Sequence, residues 1–140
     1  MEIAISRILG LRNTPEENTW SYWVPRARKG LPKSALNHFV NTLHTTFTDV
    51  ATLLPVSERT LQRYPADKVM NSNLSGHIIA LAKVYARAVE VFEEEEKARR
   101  WLQKPSRALG GNTPFSLMDT TMGIQAVEDE LVRIEYGVYS

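Results

Sequence analysis

Residues 48–64 read TDVATLLPVSERTLQRY, and the reading of the fold starts from them. Thr48 is a good N-cap and Asp49 suits the positive first turn of a helix, on which Val50, Leu53 and Leu54 make a short apolar face. Pro55 ends that helix. Ser57 can cap the next one, with Thr60, Leu61 and Tyr64 on one face and Arg59, Gln62 and Arg63 on the other, and Pro65 stops it. Two short helices joined by Pro55-Val56-Ser57 have the layout of a helix-turn-helix. The chemistry agrees, because arginine pairs with guanine, glutamine with adenine, and spare arginines with phosphate. Ser57 and the free N–H groups at the helix start are suited to holding a phosphate. Helix pairs of this kind also occur in all-α proteins that never touch DNA. A second helix of about two turns is short for reading a half-site, so tight binding requires a dimer on a palindrome.

Working outward, the periodicity stays helical. Leu36, Phe39, Val40 and Leu43 place a helix at about 33–44. Ile78, Leu81, Ala82, Tyr85, Val89 and Phe92 stripe a long helix at about 75–92, and 93–102 continues as another carrying Trp101 and Leu102. Gly110-Gly111 breaks the chain, Thr113-Pro114 opens a single turn through Met118, and Thr120 or Thr121 caps a last helix. On that helix Ile124, Val127, Leu131 and Ile134 align, and Gly137 is its stop. No hairpin signal, internal repeat or low-complexity segment is found. The fold class is therefore all-α. Three regions are expected: an aromatic and basic arm at 1–30, the helix-turn-helix at 31–72, and the long helix with its C-terminal appendage at 73–140. Before Gly30 the periodicity is weak, and Trp20, Tyr22, Trp23 and Val24 form an aromatic patch expected to pack on the body of the fold or on a second copy rather than bind a ligand.

Composition narrows the function. The chain has 140 residues, 43% hydrophobic and 24% charged, with no cysteine, which excludes disulfides, thiolate zinc sites and cysteine nucleophiles. The longest apolar run, 78–82, is far short of the roughly 20 residues a bilayer span needs. Glu2 and Arg7 interrupt the N-terminal apolar stretch, so no cleaved signal is expected and the expected location is the cytoplasm. The net charge of +1 conceals an asymmetry: residues 1–72 carry nine Lys/Arg against six Asp/Glu, and residues 73–140 carry eight against ten. Arg26, Arg28, Lys29 and Lys33 cluster in the basic half, and Glu93–Glu96 in the acidic one, an arrangement compatible with a polyanion partner at one end or with ordinary mixed surface charge.

No constellation resembles a catalytic, cofactor or metal site. His38 and His44 do not share a helix face, His77 lies on another element, and Glu128, Asp129 and Glu130 point three ways. Phosphate loops, nucleophile elbows and zinc-protease motifs are absent. The chain is expected not to be an enzyme.

The C-terminal pattern is the most distinctive part: Trp101-Leu102, Pro105, Leu109-Gly110-Gly111, Thr113-Pro114, Leu117-Met118, Thr120-Thr121, Gly123, and finally Gly137-Val138-Tyr139. Read physically, it can fold back on the long helix or offer an apolar surface to another protein. Together with Gly30-Leu31-Pro32 and the run 57–63, it resembles the Xre/MbcA/ParS antitoxins, partners of RES-domain toxins, over about residues 30–139. The resemblance implies an Xre-like helix-turn-helix that binds operator DNA as a homodimer and represses its own operon. It also implies a helical C-terminal domain that binds the toxin in a larger hetero-oligomer and closes the toxin site where NAD is degraded. On this basis the DNA-facing residues are Ser57, Arg59, Thr60, Gln62 and Arg63. The toxin-facing ones are the exposed Leu117, Met118, Thr120, Val138 and Tyr139, with Trp101, Leu109, Val127 and Leu131 as scaffold. Tyr64 and Pro65 depart from the family, which often keeps a further basic residue there. The competing reading is a stand-alone repressor whose C-terminal half serves only dimerisation or support.

Overall fold

Hydrophobic spacing of three and four residues produces helices throughout the computed structural model, which describes residues 1–12 and 19–137. Among them are eight α-helices: α1 (Ile5–Ile8), α2 (Trp20–Lys29), α3 (Lys33–Thr42), α4 (Phe47–Ala51), α5 (Glu58–Arg63), α6 (Ser72–Phe92), α7 (Glu95–Leu102) and α8 (Thr121–Glu135). Single 3-10 turns at Arg107–Leu109 and Phe115–Leu117 precede α8. The fold is all-α, as the periodicity requires; among the described residues the one isolated β-bridge pairs Pro32 with Val69.

Chain contacts divide the molecule into Ala4–Lys83 and a second unit of Met1–Ile3 with Val84–Ser140, the boundary falling inside α6. In the first unit, Leu36 and Phe39 of α3, Val50 of α4 and Leu61 of α5 are essentially inaccessible to water. Gly30 shows why that unit needs a glycine: its φ is +98°, and an added Cβ would collide with the Met70 carbonyl oxygen. The close approach lets residues 31–34 pair with 66–70, with Met70 N–H on Leu31 O at 2.8 Å and Lys33 N–H on Lys68 O at 2.8 Å. Ser75, fully buried, accepts from Leu31 N–H at 2.9 Å and donates to Met70 O at 3.2 Å, so its hydroxyl is satisfied both ways.

The region before Gly30 contains two helices that periodicity does not predict. α1 spans a single turn, and its Ile5 and Ile8 are buried. α2 tolerates Pro25 in its interior and buries Trp23, while Trp20 remains 78% exposed. The aromatic patch therefore divides between core and surface. Two helix starts also shift. Thr46, not Thr48, caps α4, accepting from Asp49 N–H at 3.1 Å; the Thr48 hydroxyl is instead committed to Glu58 at 2.7 Å. α6 begins three residues before the expected Ser75 because Asn71 Oδ1 accepts from Leu74 N–H at 2.8 Å and supplies an earlier cap.

In the second unit, Leu102, Leu109, Phe115, Met118, Ile124, Val127 and Leu131 form the core. Arg87 closes it near the end of α8 with a two-pronged ion pair to Glu135, at 2.9 and 2.5 Å. Phe92 and Trp101 pack with ring centroids 5.5 Å apart. Tyr85 is buried; its hydroxyl donates to Glu95 at 2.9 Å and accepts from Arg99 at 3.0 Å. Burial, reinforced by the Glu95 hydrogen bond, pushes the Tyr85 phenol up to about 12.

Candidate functional site

The helix pair α4–α5 supplies the first surface. Ser57 has extended backbone and caps α5, its hydroxyl accepting from Thr60 N–H at 3.2 Å and donating to Thr60 Oγ1 at 3.0 Å. Tyr64 is already extended, with ψ 126°, because the following proline disfavours helical backbone there, so α5 stops at Arg63. Leu61 is fully buried and anchors the helix. That leaves Arg59, Thr60, Gln62 and Arg63 exposed, with Arg59, Gln62 and Arg63 on one side.

Their bonding separates the roles. Ser57 and Thr60 hold the helix start. Gln62 Nε2 rests on Glu58 at 3.4 Å, a long contact that it can exchange for another acceptor. Arg59 and Arg63 make no hydrogen bond or ion pair among the described residues and keep their full donor forks available.

The second surface lies between the Phe115–Leu117 turn and the end of α8. Thr113 Oγ1 accepts from Ser116 N–H at 3.2 Å, and Thr120 Oγ1 from Gly123 N–H at 3.0 Å, so both threonines act as caps. Gly123 lets the first turn of α8 lie against the Leu117 carbonyl, with no room for a Cβ. Leu117 is half-buried and Thr120 exposed. Met118, expected to be exposed, is 3% exposed: in a 3-10 turn successive side chains are about 120° apart, and the one following Leu117 turns into the core. It supports the surface from beneath. Val138 and Tyr139 lie outside the described residues. Leu109, Val127 and Leu131 are buried and Trp101 half-buried.

Three apolar side chains missed by sequence reasoning are exposed instead: Met122 (83%), Tyr136 (72%) and Val132 (42%). Met122 and Val132 on α8, and Tyr136 at its C-cap, fall off the stripe of Ile124, Val127 and Leu131, which is the signal that could have found them. Among the described residues no three His, Asp or Glu gather as a metal site, and no helix is long and apolar enough to cross a membrane.

Known families match both parts of the chain. The antitoxin Xre-like helix-turn-helix domain matches residues 23–83, and the antitoxin Xre/MbcA/ParS C-terminal toxin-binding domain matches residues 87–137. Antitoxin Xre of Pseudomonas putida is 33% identical over 106 residues, covering 71% of this chain and 67% of its own. The chain belongs to the Xre/MbcA/ParS antitoxin family. Antitoxin Xre of Photorhabdus laumondii is 29% identical over 114 residues, covering 80% of this chain and 77% of its own. A chain of the crystal structure of the M. tuberculosis MbcT–MbcA toxin–antitoxin complex superimposes with a TM-score of 0.58 at 25% identity, over 77% of this chain and 96% of that one. This member of the Xre/MbcA/ParS family is thus an antitoxin of a toxin–antitoxin system. The helix-turn-helix match starts within α2, so the family resemblance reaches further toward the N-terminus than Gly30.

Proposed function

We propose that this antitoxin neutralises a RES-domain toxin by seating the unit that begins at Val84 over the toxin's NAD-degrading site. We further propose that it represses its own operon by binding operator DNA through α5. The observation that carries the first part is the match of residues 87–137 to a toxin-binding domain whose folded form leaves apolar side chains in water. Met122, Val132 and Tyr136 are poor surface residues for a monomer and good anchors for an interface. Leu117 and Thr120 lie against the first turn of α8, which carries Met122, and with Val138 and Tyr139, which follow α8 in the sequence, they complete the proposed set of toxin contacts. A steric block needs no reactive group. An interface of about 1,600 Å² in total, with a few buried aromatic and aliphatic anchors, suffices for a stable complex.

The second part rests on α5, where Arg59 and Arg63 face outward without partners among the described residues and Gln62 is loosely held. Ser57 Oγ takes the Thr60 N–H, and the Glu58 and Arg59 N–H groups at the start of α5 are left for a phosphate. A helix of six residues reads only a few bases, so the proposal includes a homodimer on a palindrome and a larger hetero-oligomer with toxin.

Co-expression tests the toxin part. The neighbouring reading frame alone should arrest growth, and this chain should restore it. Arrest that persists despite equal expression of both proteins removes the proposal.

A further inference from the structure

We propose that Arg28, Lys29 and Lys68 form a second nucleic-acid contact, a clamp on the phosphate backbone of duplex DNA that flanks the α5 face. The proposal rests on the operator-binding reading of α5 and names a contact outside the helix-turn-helix. The pairing of residues 31–34 with 66–70 carries it. Ser34 N–H donates to Ala66 O at 2.9 Å, and the Lys33 and Met70 N–H bonds complete the pairing. The close approach of Gly30 to Met70 brings the C-terminal end of α2 to the loop that leaves α5.

Of the basic residues gathered there, two have structural work. Arg26 donates to Gly30 O at 3.0 Å, and the buried Lys33 ammonium donates to Tyr64 O at 3.1 Å and lies 5.2 Å from the Phe47 ring. Arg28, Lys29 and Lys68 are exposed and make no hydrogen bond or ion pair among the described residues; Lys68 sits 5.5 Å over the Tyr64 ring, adjacent to Arg63. The cations thus sit on α5 (Arg59 and Arg63), on the loop that leaves it (Lys68) and at the end of α2 (Arg28 and Lys29), the last two elements being joined by the pairing of 31–34 with 66–70. Asp67 is the one acid within that loop, and Glu58 is occupied by Thr48 and Gln62.

The folded division sharpens the charge asymmetry. Ala4–Lys83 holds ten Lys/Arg against five Asp/Glu, a balance of +5, whereas the remaining residues hold seven against eleven, a balance of −4. Like charges held together without counterions among the described residues repel one another, and a polyanion relieves that repulsion by releasing its own condensed cations. Lysine and arginine on a loop and a helix end suit phosphate oxygens, which fix register without reading sequence. A short reading helix benefits most from such an addition.

The test is fluorescence anisotropy of the full chain on a duplex of about 30 base pairs from upstream of its operon, and on a scrambled duplex, across roughly 50–300 mM KCl. The triple variant Arg28→Gln/Lys29→Gln/Lys68→Gln should flatten the plot of log affinity against log salt by about 2–3, at roughly 0.9 for each phosphate no longer neutralised, while the preference for operator over scrambled DNA is retained. The charge-preserving Arg28→Lys/Lys29→Arg/Lys68→Arg should keep the parental slope. A Gln variant with the parental slope, or a charge-preserving variant as flat as it, overturns the clamp and leaves the α5 reading standing. A parent protein with no preference for operator over scrambled DNA overturns the α5 reading, and the clamp with it.

Discussion

Replacing Gly123 by alanine adds one methyl group where the first turn of α8 lies on the preceding 3-10 turn. That Cβ would overlap the Leu117 carbonyl oxygen, come within 2.7 Å of the Leu117 carbonyl carbon, and press on Thr120 Oγ1 at 3.1 Å. Carbon atoms pack at about 3.5–4.0 Å, so the carbon contact alone requires the turn to withdraw by about 1 Å. The obstructing atoms are backbone, and withdrawal pulls Leu117 and Met118 from their seats and stretches the Thr120 cap. Overpacking costs about 1–3 kcal/mol, and an obstruction made of backbone takes the upper end of that range; loss of the cap, about 1, and the better helix propensity of alanine, about 1, cancel, leaving a net destabilisation of about 3 kcal/mol. Gly111 is the matched control. Its φ is +84° with nothing within 4 Å of an added Cβ, so Gly111→Ala carries only the backbone penalty of about 1–2 kcal/mol. Urea unfolding followed by circular dichroism compares the two. If Gly123→Ala proves no more costly than Gly111→Ala, the close approach of α8 to the Leu117 carbonyl is wrong.

Three further outcomes follow from single contacts. Leu61→Ala empties the fully buried seat of α5, lowering stability by about 2–4 kcal/mol in a thermal melt and abolishing operator binding; near-parental melting would show the site is not a core position. Ser57→Ala removes the α5 cap and should cost about 1 kcal/mol, seen as faster amide exchange at Thr60 and Leu61. Tyr85 titrates above its unfolded value of 10.0, so its neutral form is favoured by folding: this stability is complete below pH 10 and is lost as pH rises through about 12, a difference of about 3 kcal/mol. Tyr85→Phe should remove that alkaline slope, measured by urea unfolding between pH 9 and about 12; an unchanged slope would place the titration elsewhere.

The helices striped with aliphatic residues were legible in the sequence because a three- and four-residue period and a local cap specify the same element twice. α5, bounded by Ser57 and Pro65, and α8, bounded by Thr120 and Gly137, show this clearly. α2 was not legible: Pro25 interrupts it, Trp23 is its one buried side chain, and aromatic residues carry little periodic information. α1 is too short to show a period. Two threonines two residues apart offer equivalent caps by type, and only the cross-helix bond from Thr48 to Glu58 decides between them. The outward-facing residues of α5 follow from amphipathic spacing. The inward turn of Met118 depends on how the turn meets α8, a tertiary fact that a linear pattern does not carry, whereas the exposure of Met122, Val132 and Tyr136 follows from their lying off the buried stripe of α8.

Titrating a purified cognate toxin with the full chain, while following NAD consumption, tests the central claim most directly. Turnover should fall linearly to zero at a fixed ratio of the two proteins, and the combined Met122→Asp/Tyr136→Asp variant should shift that endpoint to a large excess. NAD loss that continues undiminished with the parental chain in excess would contradict the account.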